Sequence, residues 1–169
     1  DDCEVVNGWL AENTLADLVE VYMGDLVGDR VYEQYGAEFP LLLKVIDSNR
    51  DLSIQVHPND ELAEEEHGLR GKTEMWYVLD AEPDAHIILG FNRYVSQAEY
   101  IERVATGNLE EILQKYPVNK GDVYFIPAGM VHSICKGCLI MEVQQASDIT
   151  YRIYDYNRKD ADGNLRELH

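Results

Sequence analysis

Three segments of this chain carry residues that could hold a metal or move a proton, at spacings that a strand would aim into one space. In "SIQVHP", Gln55 and His57 are two apart, so a strand projects both from one face while Ile54 and Val56 project from the other. In "GKTEMWYVL", Lys72 and Glu74 are again two apart, at the head of an apolar run. In "GDVYFIPAGMVHSI", His132 follows turn residues Pro127 and Gly129. His57, Glu74 and His132 together leave a coordination position open, the pattern of a catalytic rather than a structural zinc site, and Gln55 offers a weaker fourth oxygen. Taken singly, each histidine reads more readily as a hydrogen-bonded core or rim imidazole, and His132 equally as a base. The combination favours a metal, because a closed barrel brings ligands from separate strands together.

The elements that would position these residues are mostly strands. "TLADLVEVY" has Leu15, Leu18, Val19 and Tyr22 at helical spacing behind a Thr14/Asp17 capping box, which predicts an N-terminal amphipathic helix. "FPLLLKVIDS" and "DLSIQVHP" follow as short strands. "DELAEEEHG" reads as a short acidic helix or loop, and "TEMWYVLDAEPDAHIILGF" as a hairpin turned at residues 81–84. Ser96 with Glu99, and Asn108 before "LEEILQKY", predict a helical insertion over about residues 96–116. Strands resume at Asp122 and continue through "GCLIMEVQQ" and "TYRIYDY". Many short strands and few helices predict a mainly β sandwich or barrel, and no linker-like shift in composition divides residues 1–169.

Composition narrows the partners. Fourteen lysines and arginines against 32 aspartates and glutamates leave a net charge of -18, which repels nucleic-acid phosphates and anionic membranes. No stretch approaches the roughly 18 consecutive apolar residues of a membrane span. Cys3, Cys135 and Cys138 are too few and odd in number for a disulfide framework, so a reducing cytoplasmic setting is expected. The opening Asp1-Asp2-Cys3 carries no leader and reads as a processed, cloned or truncated end. "CKGC", with a Lys-Gly hairpin turn between its cysteines, lacks the second pair of a zinc knuckle, and "DADGN" lacks the closing glutamate of a calcium loop.

Gly121, Pro127, Gly129 and His132 match the second motif of the cupins, G-x5-P-x-G-x2-H, at every specified position. The first cupin motif differs: Gln55-Val56-His57 stands for the usual H-x-H, and Glu74 comes 17 residues after His57. With "QVHPND", "GKTEMWYVLDAEP", "IPAGMVHSI" and "EVQQASDITYRIYDYNR", the chain closely resembles type I mannose-6-phosphate isomerase, a zinc-dependent family of the cupin superfamily, from about Phe39 to Leu168.

That resemblance implies a cupin-type barrel that interconverts mannose 6-phosphate and fructose 6-phosphate, with one zinc ion held by His57, Glu74, His132 and Gln55. It implies Arg152 as the active-site arginine, Glu142 as an acidic residue near it, and Lys44, Ser53 and Lys72 around the substrate phosphate. An aldose-ketose interconversion passes through an enediol, whose developing oxyanion needs a Lewis acid or a fixed cation such as Arg152. The proton shuttle is open between Glu142 and a metal-held water, Glu74 being made less basic by coordination. Local lysines would hold a phosphate that the whole surface repels, although each also reads as a plain surface cation, and Arg152 as a partner of Asp148 or Asp155. Two other readings compete: a truncated, non-catalytic cupin that binds a sugar phosphate, since complete family members extend beyond both ends, and an iron-dependent dioxygenase, which Gln55 in place of a histidine disfavours.

Overall fold

The computed structural model describes residues 3–169, so the reading of the chain's start at Asp1 and Asp2 lies outside the described residues. Two compact units are present, one ending at Leu41 and one spanning Leu42–His169. The first contains three short helices, α1 (Leu15–Tyr22), α2 (Gly24–Val27) and α3 (Asp29–Tyr35). α1 starts as its sequence predicts: the Thr14 hydroxyl accepts from the Asp17 amide and Asp17 reaches back to Thr14. The other two have no sequence expectation behind them, since neither helix has a side-chain N-cap and Gly24, Gly28 and Gly36 break the apolar period.

The second unit is mainly β, with two antiparallel sheets that share one core. β1 (Leu41–Asp47), β8 (Cys138–Gln145), β3 (Glu74–Ala81) and β6 (Val123–Ile126) form one sheet in that order. β5 (Leu113–Pro117), β4 (His86–Phe91), β7 (His132–Ile134), β2 (Ile54–Val56) and β9 (Tyr151–Tyr154) form the other. Trp76, Val78, Ile126 and Ile140 from the first sheet pack with Ile87 and Ile134 from the second, which makes the unit a cupin-type jelly roll. Helix α4 (Asp60–His67) resolves the acidic "DELAEEEHG" as a helix capped by Asn59, whose side chain accepts from the Leu62 amide at 2.9 Å. Among the described residues no helix is long and apolar enough to cross a membrane.

Two expectations need correction. The helical insertion is shorter than 96–116: α5 (Gln97–Thr106) and a 3-10 turn (Leu109–Ile112) end before β5, and residues 113–117 pair along β4. The period of "LEEILQKY" suits a helix, but the open edge of β4 needs backbone partners, and the last part of the segment supplies them. The supposed hairpins are also not hairpins. β3 and β4 belong to different sheets, as do β7 and β8 around "CKGC". At each link the chain crosses from sheet to sheet, and the two crossings are stitched together by Glu82 N–H to the Gly137 carbonyl (2.9 Å) and Cys135 N–H to the His86 carbonyl (3.2 Å). Alternation identifies strands but is silent on which neighbour they pair with.

Candidate metal centre

Glu74, on β3, and His132, on β7, come from opposite sheets, and His57 directly follows β2. All three are at most 2% exposed. One ligand atom from each lies within 4.8 Å of the other two.

Local structure brings them there. Gly129 adopts φ 82°, a conformation that strains any side-chain-bearing residue, and its N–H donates to the His57 carbonyl at 2.8 Å, so the turn before His132 is tied directly to His57. The 17-residue gap between His57 and Glu74 is an excursion through α4 that closes at its neck. Lys72 N–H donates to the Pro58 carbonyl (3.0 Å) and Gly71 N–H to Asp60 Oδ1 (2.9 Å). A Cβ on Gly71 would lie 2.4 Å from the Asn59 carbonyl carbon, so this close backbone approach requires glycine.

Both imidazoles are oriented by backbone carbonyls. His57 Nδ1 donates to Ile149 O at 2.9 Å and His132 Nδ1 to Met130 O at 2.8 Å. A carbonyl only accepts, so in its neutral form either ring carries its hydrogen on Nδ1 and turns a bare Nε2 lone pair inward. His57 Nε2, His132 Nε2 and Glu74 Oε1 are buried without a hydrogen bond. The 3.1 Å between His57 Nε2 and Glu74 Oε1 therefore sets lone pair against lone pair, a contact that a cation relieves. Burial pushes His132 down to about 4, so that ring is neutral at physiological pH. Burial pushes the Glu74 carboxyl up, and the Lys72 ammonium 3.1 Å away opposes that push and favours the carboxylate. Two imidazole Nε2 atoms and one carboxylate oxygen, none of them hydrogen-bonded, could hold a divalent metal ion.

Glu74 is the hinge of a larger polar cluster. Its Oε1 lies 3.1 Å from Lys72 Nζ, and its Oε2 accepts from the indole N–H of Trp76 at 3.2 Å. The same N–H reaches Glu142 Oε2 at 3.1 Å. Glu142 Oε1 lies 3.4 Å from Lys44 Nζ, which donates to Gln144 at 2.6 Å. Pairing of Trp76 with Glu142, and of Glu74 with Gln144, across β3 and β8 aligns these side chains. Glu142, Lys44 and Lys72 are thus gathered around the candidate ligands, the lysines each against a carboxylate.

The remaining predicted residues sit on the second sheet. Gln55 is directly opposite His132 on one side and Arg152 on the other, which places all three on one face. Ser53 is buried just before β2. Arg152 donates to the Glu167 carbonyl at 3.2 Å, and its Nε is buried without a hydrogen bond. It does not take up Asp155, which engages Arg158 and Arg166 instead. Trp76, Gln144 and Gly71 were not singled out from sequence. The first two were within reach of the alternation that places them two residues from Glu74 and Glu142, on the same inward face.

The discounted motifs behave as structural features. Cys135 and Cys138 are buried free thiols, and burial pushes Cys135 up to about 12, far from a reactive thiolate. In "DADGN", Asp160 Oδ1 accepts from the Asp162 and Asn164 amides, a polar turn.

A His-Glu-His set that could hold a metal, lying between the sheets of a jelly roll, has the form of a cupin centre. The chain belongs to the phosphomannose isomerase type I catalytic domain family, whose sequence model matches residues 4–93, a span that includes His57 and Glu74. It is 47% identical over 169 residues to mannose-6-phosphate isomerase ManA of Bacillus subtilis, covering 98% of this chain and 51% of that protein. It is 47% identical over 131 residues to a mannose-6-phosphate isomerase of Streptococcus mutans, covering 78% and 41%. The crystal structure of the mannose 6-phosphate isomerase from Bacillus subtilis superposes with a TM-score of 0.87 at 40% identity, over 99% of this chain and 52% of that one. The chain thus spans about half the length of the curated relatives it matches.

Proposed function

We propose that this chain is the catalytic part of a zinc-dependent isomerase that interconverts mannose 6-phosphate and fructose 6-phosphate in the cytoplasm. The observation that carries the reading is the pair of buried histidines whose Nδ1–H groups are spent on backbone carbonyls, leaving two Nε2 lone pairs facing Glu74. His57, Glu74 and His132 hold the metal, with Gln55 as a further oxygen ligand from the same face. Two nitrogens and hard oxygens suit zinc and give it open positions. Once bound, zinc supplies Lewis-acid stabilisation of negative charge on the sugar oxygens.

The residues of the chain carry the rest. Glu142 takes the proton from one carbon of the open-chain sugar and returns it to the neighbouring carbon, passing through an enediol. Burial and the Trp76 N–H keep its carboxylate fixed in place. Arg152 offers a fixed cation to the developing oxyanion. Lys44, Ser53 and Lys72 bind the substrate phosphate, which requires the lysines to exchange part of their contact with Gln144 and Glu74 for the phosphate.

A coupled assay with mannose 6-phosphate, run before and after chelation and after zinc restoration, tests the reading. Turnover lost on chelation and regained with zinc supports it; turnover untouched by complete metal removal contradicts it. The engagement of Lys72 by Glu74 and of Lys44 by Gln144 leaves room for one second reading, a metal-binding cupin that holds the sugar phosphate without turning it over. Calorimetric binding of mannose 6-phosphate with no product formed would favour that reading. Stoichiometric iron and oxygen uptake would favour a dioxygenase.

A further inference from the structure

Trp76 is 1% exposed, and an aromatic so deep in a core ordinarily acts as filler. Its polar atom, however, sits between two carboxylates. The single indole hydrogen is shared between Glu74 Oε2 at 3.2 Å and Glu142 Oε2 at 3.1 Å. Glu74 and Glu142 are 2% and 5% exposed, so neither can substitute water freely for that donor. The opposite oxygen of each carboxylate turns elsewhere: Glu74 Oε1 toward His57 and Lys72, Glu142 Oε1 toward Lys44. The ring itself is held by an edge contact with His132, centroids 5.6 Å apart and planes at 70°. Trp76 therefore touches a second candidate ligand through its ring while it directs the first through its N–H.

We infer that Trp76 is a positioning residue: its indole N–H restrains Glu74 Oε2, so that Oε1 is the oxygen offered to a metal, and it links that carboxylate to Glu142. This rests on the reading of His57, Glu74 and His132 as a metal centre. When a cation draws charge from Glu74, Oε2 becomes the weaker acceptor and the shared hydrogen moves toward Glu142. Metal loading is thereby transmitted to Glu142 through one hydrogen bond, without displacement of either strand.

The test uses the folded chain and zinc ion alone. In wild type labelled with nitrogen-15, zinc titration is expected to shift the indole N–H resonance of Trp76 and not that of Trp9, the two being assigned with Trp9→Phe. Trp76→Phe keeps an aromatic ring but removes the N–H together with the pyrrole part of the indole, and its zinc affinity by calorimetry is expected to fall about 10–100-fold, the usual effect of losing a group that orients a metal ligand. Far-UV circular dichroism and metal-free thermal unfolding establish that the variant is folded. An unmoved Trp76 resonance during saturable zinc binding overturns the inference, whether or not the variant folds, and so does a folded Trp76→Phe with zinc affinity within twofold of wild type. His132→Ala and Glu74→Gln separate the two levels. If they lose zinc while Trp76→Phe does not, the positioning role alone is overturned; if they bind zinc as wild type does, the metal centre is overturned with it.

Discussion

The inward faces of β3 and β8 divide into two halves of equal burial and opposite chemistry. At one end Val78, Ile140 and Cys138 are at most 1% exposed in a hydrocarbon core; at the other Glu74, Glu142 and Gln144 are at most 5% exposed among charges. The strands, sheet and period-two alternation are the same in both. Alternation therefore decides what is buried, and residue identity decides whether burial stabilises the fold or prepares a site. The apolar half gains from leaving water. The polar half pays a desolvation cost that Lys44, Lys72 and Trp76 offset only in part, and Glu74 Oε1 is left without a hydrogen bond, as are His57 Nε2 and His132 Nε2 beside it.

That division makes opposite predictions for substitutions at equal depth. The largest loss of stability is expected in the apolar half, where Ile140→Ala should cost about 2–5 kcal/mol by denaturant unfolding while leaving zinc affinity unchanged. A weakened zinc site in that variant would show that the two halves are coupled.

A fully paired carboxylate gives the next effect. Asp155 engages both Arg158 and Arg166, which hold its carboxyl below the usual carboxylate range despite the opposing pull of burial. Asp155→Asn should destabilise by about 1.5–3 kcal/mol near neutral pH, as loss of hydrogen bonds to a charged group does. A carboxyl with a depressed folded value lends stability above its unfolded value of about 3.9, and that stability is lost as pH falls through the folded value. Wild type should therefore lose its advantage over Asp155→Asn on acidification below about pH 4 in unfolding titrations. A gap between the two proteins that stays constant with pH would break the assignment.

Gly71→Ala should cost about 1–3 kcal/mol through overpacking at the neck of the α4 excursion, but its larger signature belongs to the polar half. Displacing Lys72 and Glu74 relative to His57 should reduce zinc affinity at least tenfold by calorimetry, whereas Ile140→Ala should not. The smallest change in stability is expected for Glu142→Gln, which keeps shape and an acceptor for Trp76: about 1 kcal/mol or less, with turnover reduced about 10²–10⁴-fold in a protein that isomerises the sugar. A large loss of stability with turnover retained would make Glu142 a structural residue.

The parts of this arrangement that were legible in sequence share a local cause. The Thr14/Asp17 capping box marked α1, and the spacings of Gln55 to His57 and Lys72 to Glu74 marked which side chains share a face. Pro127 and Gly129 marked the turn before His132, and Gly129 indeed has φ 82°. Non-local facts were not legible. "AEPD" and "CKGC" look like hairpin turns because turn chemistry is the same whether the chain re-enters its own sheet or crosses to the facing one. β5 was hidden because "LEEILQKY" carries a helical period and only the open edge of β4 makes its end a strand. Trp76 is not legible either, because a tryptophan in an apolar run reads as core; the contacts of its N–H depend on Glu142, 66 residues away, being opposite it on β8.

We propose that the polar half exists to hold zinc. Zinc content and affinity in wild type and His132→Ala, measured alongside metal-free thermal unfolding, decide this. The expected result is one zinc per wild-type chain, a loss of affinity well beyond the 10–100-fold of an orienting residue in the variant, and a metal-free fold that melts close to wild type. A folded His132→Ala that keeps full zinc occupancy at wild-type affinity would contradict the account.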